Sequence, residues 1–236
     1  MYVFPPQWAA ASHITIADWC DVGQATIDKL PDDALLYVFY FYVAQASEVE
    51  AWHKLIHVCR RWRILVFGSP RRLNLRIACT GRTLVNEKLD IRPALPIVIS
   101  GLCIYSTSLD NVKAALGHHD RVCQIKLNVP WRSELAEILA ALEAPFPVLT
   151  DLDLQSIGAL DPILPNSVKF LRASAHLRSL FFTGISVPEI PKLLLSCTNL
   201  VNLYLNWIPF TGCFSSDPMV TALSALTRLK ILQLTF

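Results

Sequence analysis

Five times between residues 122 and 234 the chain returns to one pattern: an apolar residue, two variable ones, a second apolar residue, one variable, and a third apolar residue. The copies are Val122-x-x-Ile125-x-Leu127, Leu149-x-x-Leu152-x-Leu154, Leu177-x-x-Leu180-x-Phe182, Leu200-x-x-Leu203-x-Leu205 and Leu229-x-x-Leu232-x-Leu234. Their last positions step by 27, 28, 23 and 29 residues. This periodicity constrains the fold most, because each unit has one apolar strand face and one apolar helix face that it buries only against neighbours. Two earlier segments, Leu73-x-Leu75 and Ile97-x-Ile99, carry the ladder backwards, with steps of 24 and 28 from Leu75 through Ile99 to Leu127. Helical periodicity fills the gaps. In Ser133–Leu142 a cap-like Ser opens a run that sets Leu135, Ile138, Leu139 and Leu142 on one face. The expected fold class is α/β, a parallel strand ladder with helices on its convex side.

Side chains alternate along a strand, so the residues between the buried leucines face the open side. They are Gln124, Lys126 and Asn128; Asp151, Asp153 and Gln155; Ser179, Phe181 and Thr183; Asn202, Tyr204 and Asn206; Ile231, Gln233 and Thr235. Aromatic residues concentrate at interface centres, and solvation alone gives no reason for Phe181 and Tyr204 to point outward. The residues expected to touch a protein partner are Lys126, Asp151, Asp153, Phe181, Tyr204 and Asn206.

Ahead of the ladder, residues 1–29 read as an irregular leader and residues 30–70 as a small helical module. Pro31 followed by Asp32 and Asp33 marks a helix start, because Pro has no N–H to lose there and acids complement the positive helix end. From Ala34 to Ala44 every residue is apolar or aromatic. Such a helix has no polar stripe for water, and one small domain does not easily cover it on all sides. A second stretch turns Trp52, Leu55, Ile56, Cys59, Trp62, Ile64 and Val66 inward and Lys54, Arg60, Arg61 and Arg63 outward. Its spacing leaves open one helix or two broken near His57.

Leu30-Pro31, the Leu35-Leu36 pair, Phe39 and the Cys59-x-x-Trp62 pair, in that order, resemble the F-box, the helical motif with which substrate receptors dock on the Skp adaptor of cullin-based ubiquitin ligases. The resemblance covers residues 30–76. The exit through Phe67-Gly-Ser-Pro-Arg-Arg-Leu-Asn-Leu75 is similar to the way many fungal F-box proteins enter leucine-rich repeats. The resemblance implies that Leu30, Pro31, Leu35, Leu36 and Phe39, with Cys59 and Trp62 in a supporting layer, dock on the adaptor and through it reach the cullin. It implies that residues 71–236 are a leucine-rich-repeat array that selects a protein substrate. The chain would do no chemistry itself and need no cofactor. Such docking requires a first helix that stays partly uncovered; a helix fully enclosed by its own chain, with Leu35 and Phe39 unreachable from outside, would rule it out.

In one respect the array departs from that family. The Asn or Cys expected three residues after the last strand leucine is replaced by Pro130, Ile157, Ile185 and Ile208, which leaves the regularity of the turns open. The pattern stops in mid-strand at Leu234-Thr235-Phe236, which reads as a truncated array or an edge that pairs with another molecule.

Other features narrow the function classes. The longest apolar run has eleven members, residues 34 to 44, whereas a membrane span needs about 20. The first residues have neither a basic leader nor a continuous apolar core, so the chain is expected in the cytoplasm or nucleus. Seven cysteines are spread singly, with no Cys-x-x-Cys pair, which argues for reduced, mostly buried thiols rather than a metal site. His53 and His57 have a spacing that suits zinc, but Lys54 stands where a protease helix has Glu. Asp151 and Asp153 have no partner base, nucleophile or glycine loop beside them, and no Ser or Cys sits in a nucleophile motif. Residues 54–92 hold ten Lys and Arg against two acids, a net +8 that invites a nucleic-acid reading. No helix there sets base-reading polar residues on one face, which argues against it. The alternatives are a repeat-based interaction scaffold without a ubiquitin role and, behind it, a DNA-binding regulator using residues 54–92.

Overall fold

The computed structural model describes residues 27–91, 94–103, 106–156, 176–186, 190–208 and 216–235. The expectations for most of the leader and for Ile157 lie outside the described residues. Seven strands form one all-parallel sheet in chain order: β1 (Ile77–Cys79), β2 (Ile97–Leu102), β3 (Val122–Asn128), β4 (Asp151–Gln155), β5 (Ser179–Thr183), β6 (Asn202–Asn206) and β7 (Ile231–Leu234). Parallel neighbours need a crossover. Helices α4 (Val85–Ile91), α5 (Ser106–Leu116), α6 (Arg132–Ala141), α7 (Ile190–Ser196) and α8 (Ser216–Ala225) occupy the described crossovers. Among the described residues, three α-helices precede the sheet after a short 3-10 turn at Ile27–Lys29: α1 (Asp32–Gln45), α2 (Trp52–Ile56) and α3 (Arg60–Gly68).

The alternation in sequence becomes a two-faced sheet. In β4 and β6 every second residue is buried and those between are half-buried. Leu152 and Leu154 share one hydrophobic core with Leu135, Ile138 and Leu139 of α6, and that core runs from Leu35 to Leu226. Each fully buried side chain of this kind contributes roughly 1.5–3 kcal/mol, so the stacking of units, not any one turn, holds the ladder.

From β3 onward the register matches the sequence alignment. Ile125, Leu152, Leu180, Leu203 and Leu232 pair in one row, and Leu127, Leu154, Phe182, Leu205 and Leu234 in the next. Upstream it differs. Leu73 and Leu75 are buried but lie outside any strand, because the turn from Pro70 ends on Asn74 in the left-handed region (φ 50°) and β1 starts only at Ile77. Cys79 therefore pairs with Ile99, and Ile99 with Ile125 rather than Leu127, after a register shift at Ile97/Val98. A slip of two or four residues keeps every side chain on its face, so the alternating pattern cannot detect it.

Local starts and breaks have identifiable causes. Cys59, with an extended backbone, separates α2 from α3, so the stretch is two helices. Ile64 is exposed, contrary to expectation, because the helical phase restarts at Arg60. Helix α6 begins at Arg132 after the extended Trp131, and the Ser133 hydroxyl bonds the Glu134 carboxylate instead of capping the helix.

Past the strand ends the ladder continues through main-chain bonds. Val129 N–H donates to Gln155 O at 2.7 Å, Ser156 N–H to Thr183 O at 2.8 Å and Gly184 N–H to Asn206 O at 2.9 Å. The positions of the missing Asn or Cys at Ile185 and Ile208 are filled by buried apolar side chains. Gly184 turns with φ 68°, and a Cβ there would meet Ser156 O at 2.3 Å, so only glycine fits.

The helical module is bonded onto the first strand. Trp52 Nε1 donates to Arg76 O at 2.9 Å, and Glu50 Oε1 accepts the Ala78 N–H at 2.9 Å. Lys88 Nζ lies 2.8 Å from the same Glu50 oxygen and donates to Ala78 O at 2.6 Å. An edge strand with unsatisfied main-chain groups is a liability, and here Glu50 and Lys88 occupy it.

Candidate binding surfaces

Helix α1 has two apolar halves with different fates. Leu35, Leu36 and Phe39 form the buried stripe, with Val43 packed partly against it. These positions fall on one side of a 3.6-residue helix. Phe39 lies against Trp62, with ring centroids 4.6 Å apart and planes at 57°. Leu35 and Phe39 have no exposed surface. The expectation that Leu35, Leu36 and Phe39 are reachable from outside is therefore corrected: they fill the module's own core, since their helix face is the one that α2 and α3 cover.

The opposite half is open. Tyr37, Val38 and Phe41 are 61%, 48% and 58% exposed, Tyr40 and Tyr42 are exposed beside them, and Leu30 and Pro31 are exposed at the helix start. A contiguous apolar face of this kind marks an interaction site more often than a solvated surface. Cys59 is half-buried, and Trp62 is partly buried against the core.

Several arginines of this module are paired within the chain. Arg61 Nη2 lies 2.6 Å from Asp32 Oδ1, Arg72 Nη1 lies 2.9 Å from Asp33 Oδ1, and Arg63 Nε donates to Ile56 O at 3.1 Å. The Arg72 guanidinium also sits 4.9 Å from the Tyr37 ring centre. Exposed ion pairs contribute only about 0–1 kcal/mol each, but these arginines are engaged within the chain, which weakens the nucleic-acid alternative. The His53 and His57 rings meet edge to face at 4.7 Å. Among the described residues no group of three His, Cys, Asp or Glu is placed to hold a metal ion, and no helix is long and apolar enough to cross a membrane.

The second surface is the open strand face. Register places Ser100, Lys126, Asp153, Phe181, Tyr204 and Gln233 side by side in one row across β2 to β7. Phe181 and Tyr204 stack with centroids 4.2 Å apart and planes 7° from parallel. Lys126 Nζ reaches to 3.8 Å from Asp153 Oδ2, and Gln155 Nε2 donates to Asp153 Oδ1 at 3.0 Å. Thr150 Oγ1 donates to Asp151 Oδ2 at 2.7 Å, and Asn206 Oδ1 accepts from Thr235 Oγ1 at 3.4 Å. All six residues expected to contact a partner thus lie on one face, five of them half-buried and Lys126 exposed.

Four of the described thiols are poorly placed for chemistry. Cys79, Cys103, Cys123 and Cys197 are free and buried. Burial pushes each of them up, Cys103 to about 11, where the Glu134 carboxylate adds to the effect. A protonated thiol is a poor nucleophile and metal ligand.

Sequence reasoning missed three features. Glu50, which carries no motif in the sequence, serves the edge of β1. Trp131 and Trp207 are exposed past the ends of β3 and β6, and Trp207 adopts φ 53° at the position equivalent to Gly184 in the next unit. A large aromatic directly after a strand is the signal that would have found them. Comparison with models of known protein families, with curated proteins and with solved structures returns no match for this chain.

Proposed function

We propose that this protein is a substrate receptor of an SCF-type ubiquitin ligase. In this reading α1 to α3 are an F-box that docks on a Skp adaptor, and the strand ladder is a leucine-rich-repeat solenoid whose open face takes a target protein. Strands pack about 4.8 Å apart and helices about 8–10 Å apart, so a one-sided stack bends with its strands inside, giving a concave face for the target. The receptor does no chemistry; it raises the effective concentration of a target lysine near a ubiquitin-charged enzyme.

The observation that carries the reading is the open apolar half of α1, set on a module that is bonded rigidly to a ladder with its own aromatic-centred face. A helix that is apolar all round asks for a second protein over the half that the described residues leave bare. The docking contacts are then Leu30, Pro31, Tyr37, Val38 and Phe41, while Leu35, Leu36, Phe39 and Trp62 hold that surface in place. Capture by a purified Skp-type adaptor tests the reading. Val38→Asp with Phe41→Asp removes capture if the reading is right. Equal capture of this variant, or none by the unaltered chain, favours a scaffold outside the ubiquitin system.

A further inference from the structure

We infer that the strand face receives an arginine side chain of its protein partner, the guanidinium seated above Asp153 and flat against Phe181. The inference rests on the ladder face being the substrate face and names the chemistry recognised there.

The geometry is set by the row Lys126, Asp153, Phe181, Tyr204 across four neighbouring strands. Two rings that are parallel within 7° and 4.2 Å apart on adjacent strands have their planes standing across the row. Each covers one face of the other. The free face of Phe181 is therefore directed toward β4, where Asp153 is its register partner. Adjacent strands are about 4.8 Å apart, the separation at which a planar group above Asp153 lies in stacking contact with the ring. A cation there gains the ring quadrupole and a charge-assisted hydrogen bond together. Asp151, two residues back on the same strand face, offers a second carboxylate.

The carboxylate is prepared for an incoming donor. Gln155 Nε2 donates to Asp153 at 3.0 Å and fixes its orientation, leaving other lone pairs free. The resident cation is a weak competitor: Lys126 lies 3.8 Å away, at the long limit of an ion pair, and its side chain is 66% exposed against 17% for Asp153. Such a pair contributes little and is readily displaced. Arginine fits better than lysine, because a guanidinium is flat, weakly hydrated and stacks, whereas an ammonium is a compact, strongly hydrated point charge. The neighbouring rung of Gln155, Thr183 and Asn206 supplies amide and hydroxyl groups for the main chain that carries the arginine.

The test pans a phage-displayed library of random heptapeptides against the full chain, then measures synthetic versions of the selected peptides. Arginine should recur at one position. Replacing it with citrulline, which keeps the shape and removes the charge, should weaken binding about tenfold, and Asp153→Asn or Phe181→Leu should do the same to the arginine peptide. Lys126→Ser should tighten it. Selection of peptides without arginine, or binding indifferent to citrulline, overturns the inference. The citrulline comparison alters only the peptide, so it decides even if a variant protein fails to fold. Adaptor capture measured in parallel keeps the two readings apart. Loss of arginine preference with capture intact overturns the inference alone, and loss of capture with the preference intact overturns the receptor reading alone.

Discussion

Phe39 and Trp62 lie with ring centroids 4.6 Å apart, and Phe39 is completely enclosed by its own chain. Two residues that a resemblance assigns to an interface and its support are thus, in the first place, the keystone of the helical module. Apolar character all round α1 serves two purposes, a closed inner stripe that builds the module and an outer stripe left for something else.

That division gives the first expectation. Phe39→Ala should destabilise the module by about 3–5 kcal/mol, the usual cost of emptying an aromatic site in a core. Phe41→Ala, on the outer stripe, should change stability by no more than about 0.5 kcal/mol. Thermal denaturation of the two variants separates the stripes, and similar losses for both would contradict the assignment.

A second expectation concerns the seal between module and ladder. Glu50→Ala removes the acceptor for the Ala78 N–H and the partner of Lys88. Leaving the half-buried Ala78 N–H unpaired and Lys88 with only the Ala78 carbonyl should cost about 1–3 kcal/mol. Hydrogen exchange at the Ala78 amide should accelerate more than exchange in β5, where the ladder bonds are untouched.

The turn after β5 supplies a third. Gly184→Ala must place a Cβ 2.3 Å from Ser156 O in a left-handed backbone. The change should lower stability by more than about 1 kcal/mol, because neither the conformation nor the space is open to alanine. An unchanged denaturant midpoint would mean that the turn relaxes freely.

Alkaline pH should destabilise the protein. Burial holds Cys103 protonated to about 11, whereas the unfolded thiol ionises from 9.0. Between these values unfolding releases a proton, so stability falls as pH rises. Cys79, Cys123 and Cys197 are raised by the same burial and act in the same direction. Lys54 and Lys113, raised by hydrogen bonds to Glu48 and Glu137, add stability that is present at lower pH and is lost as pH passes their folded values. Melting temperature measured from pH 8 to 11 should fall steadily, and a flat profile would contradict this account.

Much of the architecture was legible because the apolar spacing speaks directly to burial. From Val122 onward the leucine rows and their register follow from alternation, and the start of α1 follows from Pro31-Asp32-Asp33. Burial departs from the pattern at Ser179, expected on the open face but buried. It departs also on β7, where Leu232 and Leu234, expected buried, are 45% and 36% exposed because among the described residues no further strand pairs beyond β7. The pattern failed where its symmetry hides the answer. Leu73-x-Leu75 and Ile77-x-Cys79 are both apolar alternations, offset by four residues, and only the left-handed Asn74 places the strand at the second. It also failed at Leu35 and Phe39, since an all-apolar helix does not reveal from sequence which half its own chain will cover. Glu50 was invisible because its partner, the Ala78 N–H, is main chain.

The most direct measurement is calorimetric titration of the full chain with a purified Skp-type adaptor, beside the Val38→Asp, Phe41→Asp variant. The account expects a saturable one-to-one complex with the unaltered chain and none with the variant, whose melting temperature should remain unchanged. No heat of binding with the unaltered chain, or equal affinity for both proteins, would contradict it.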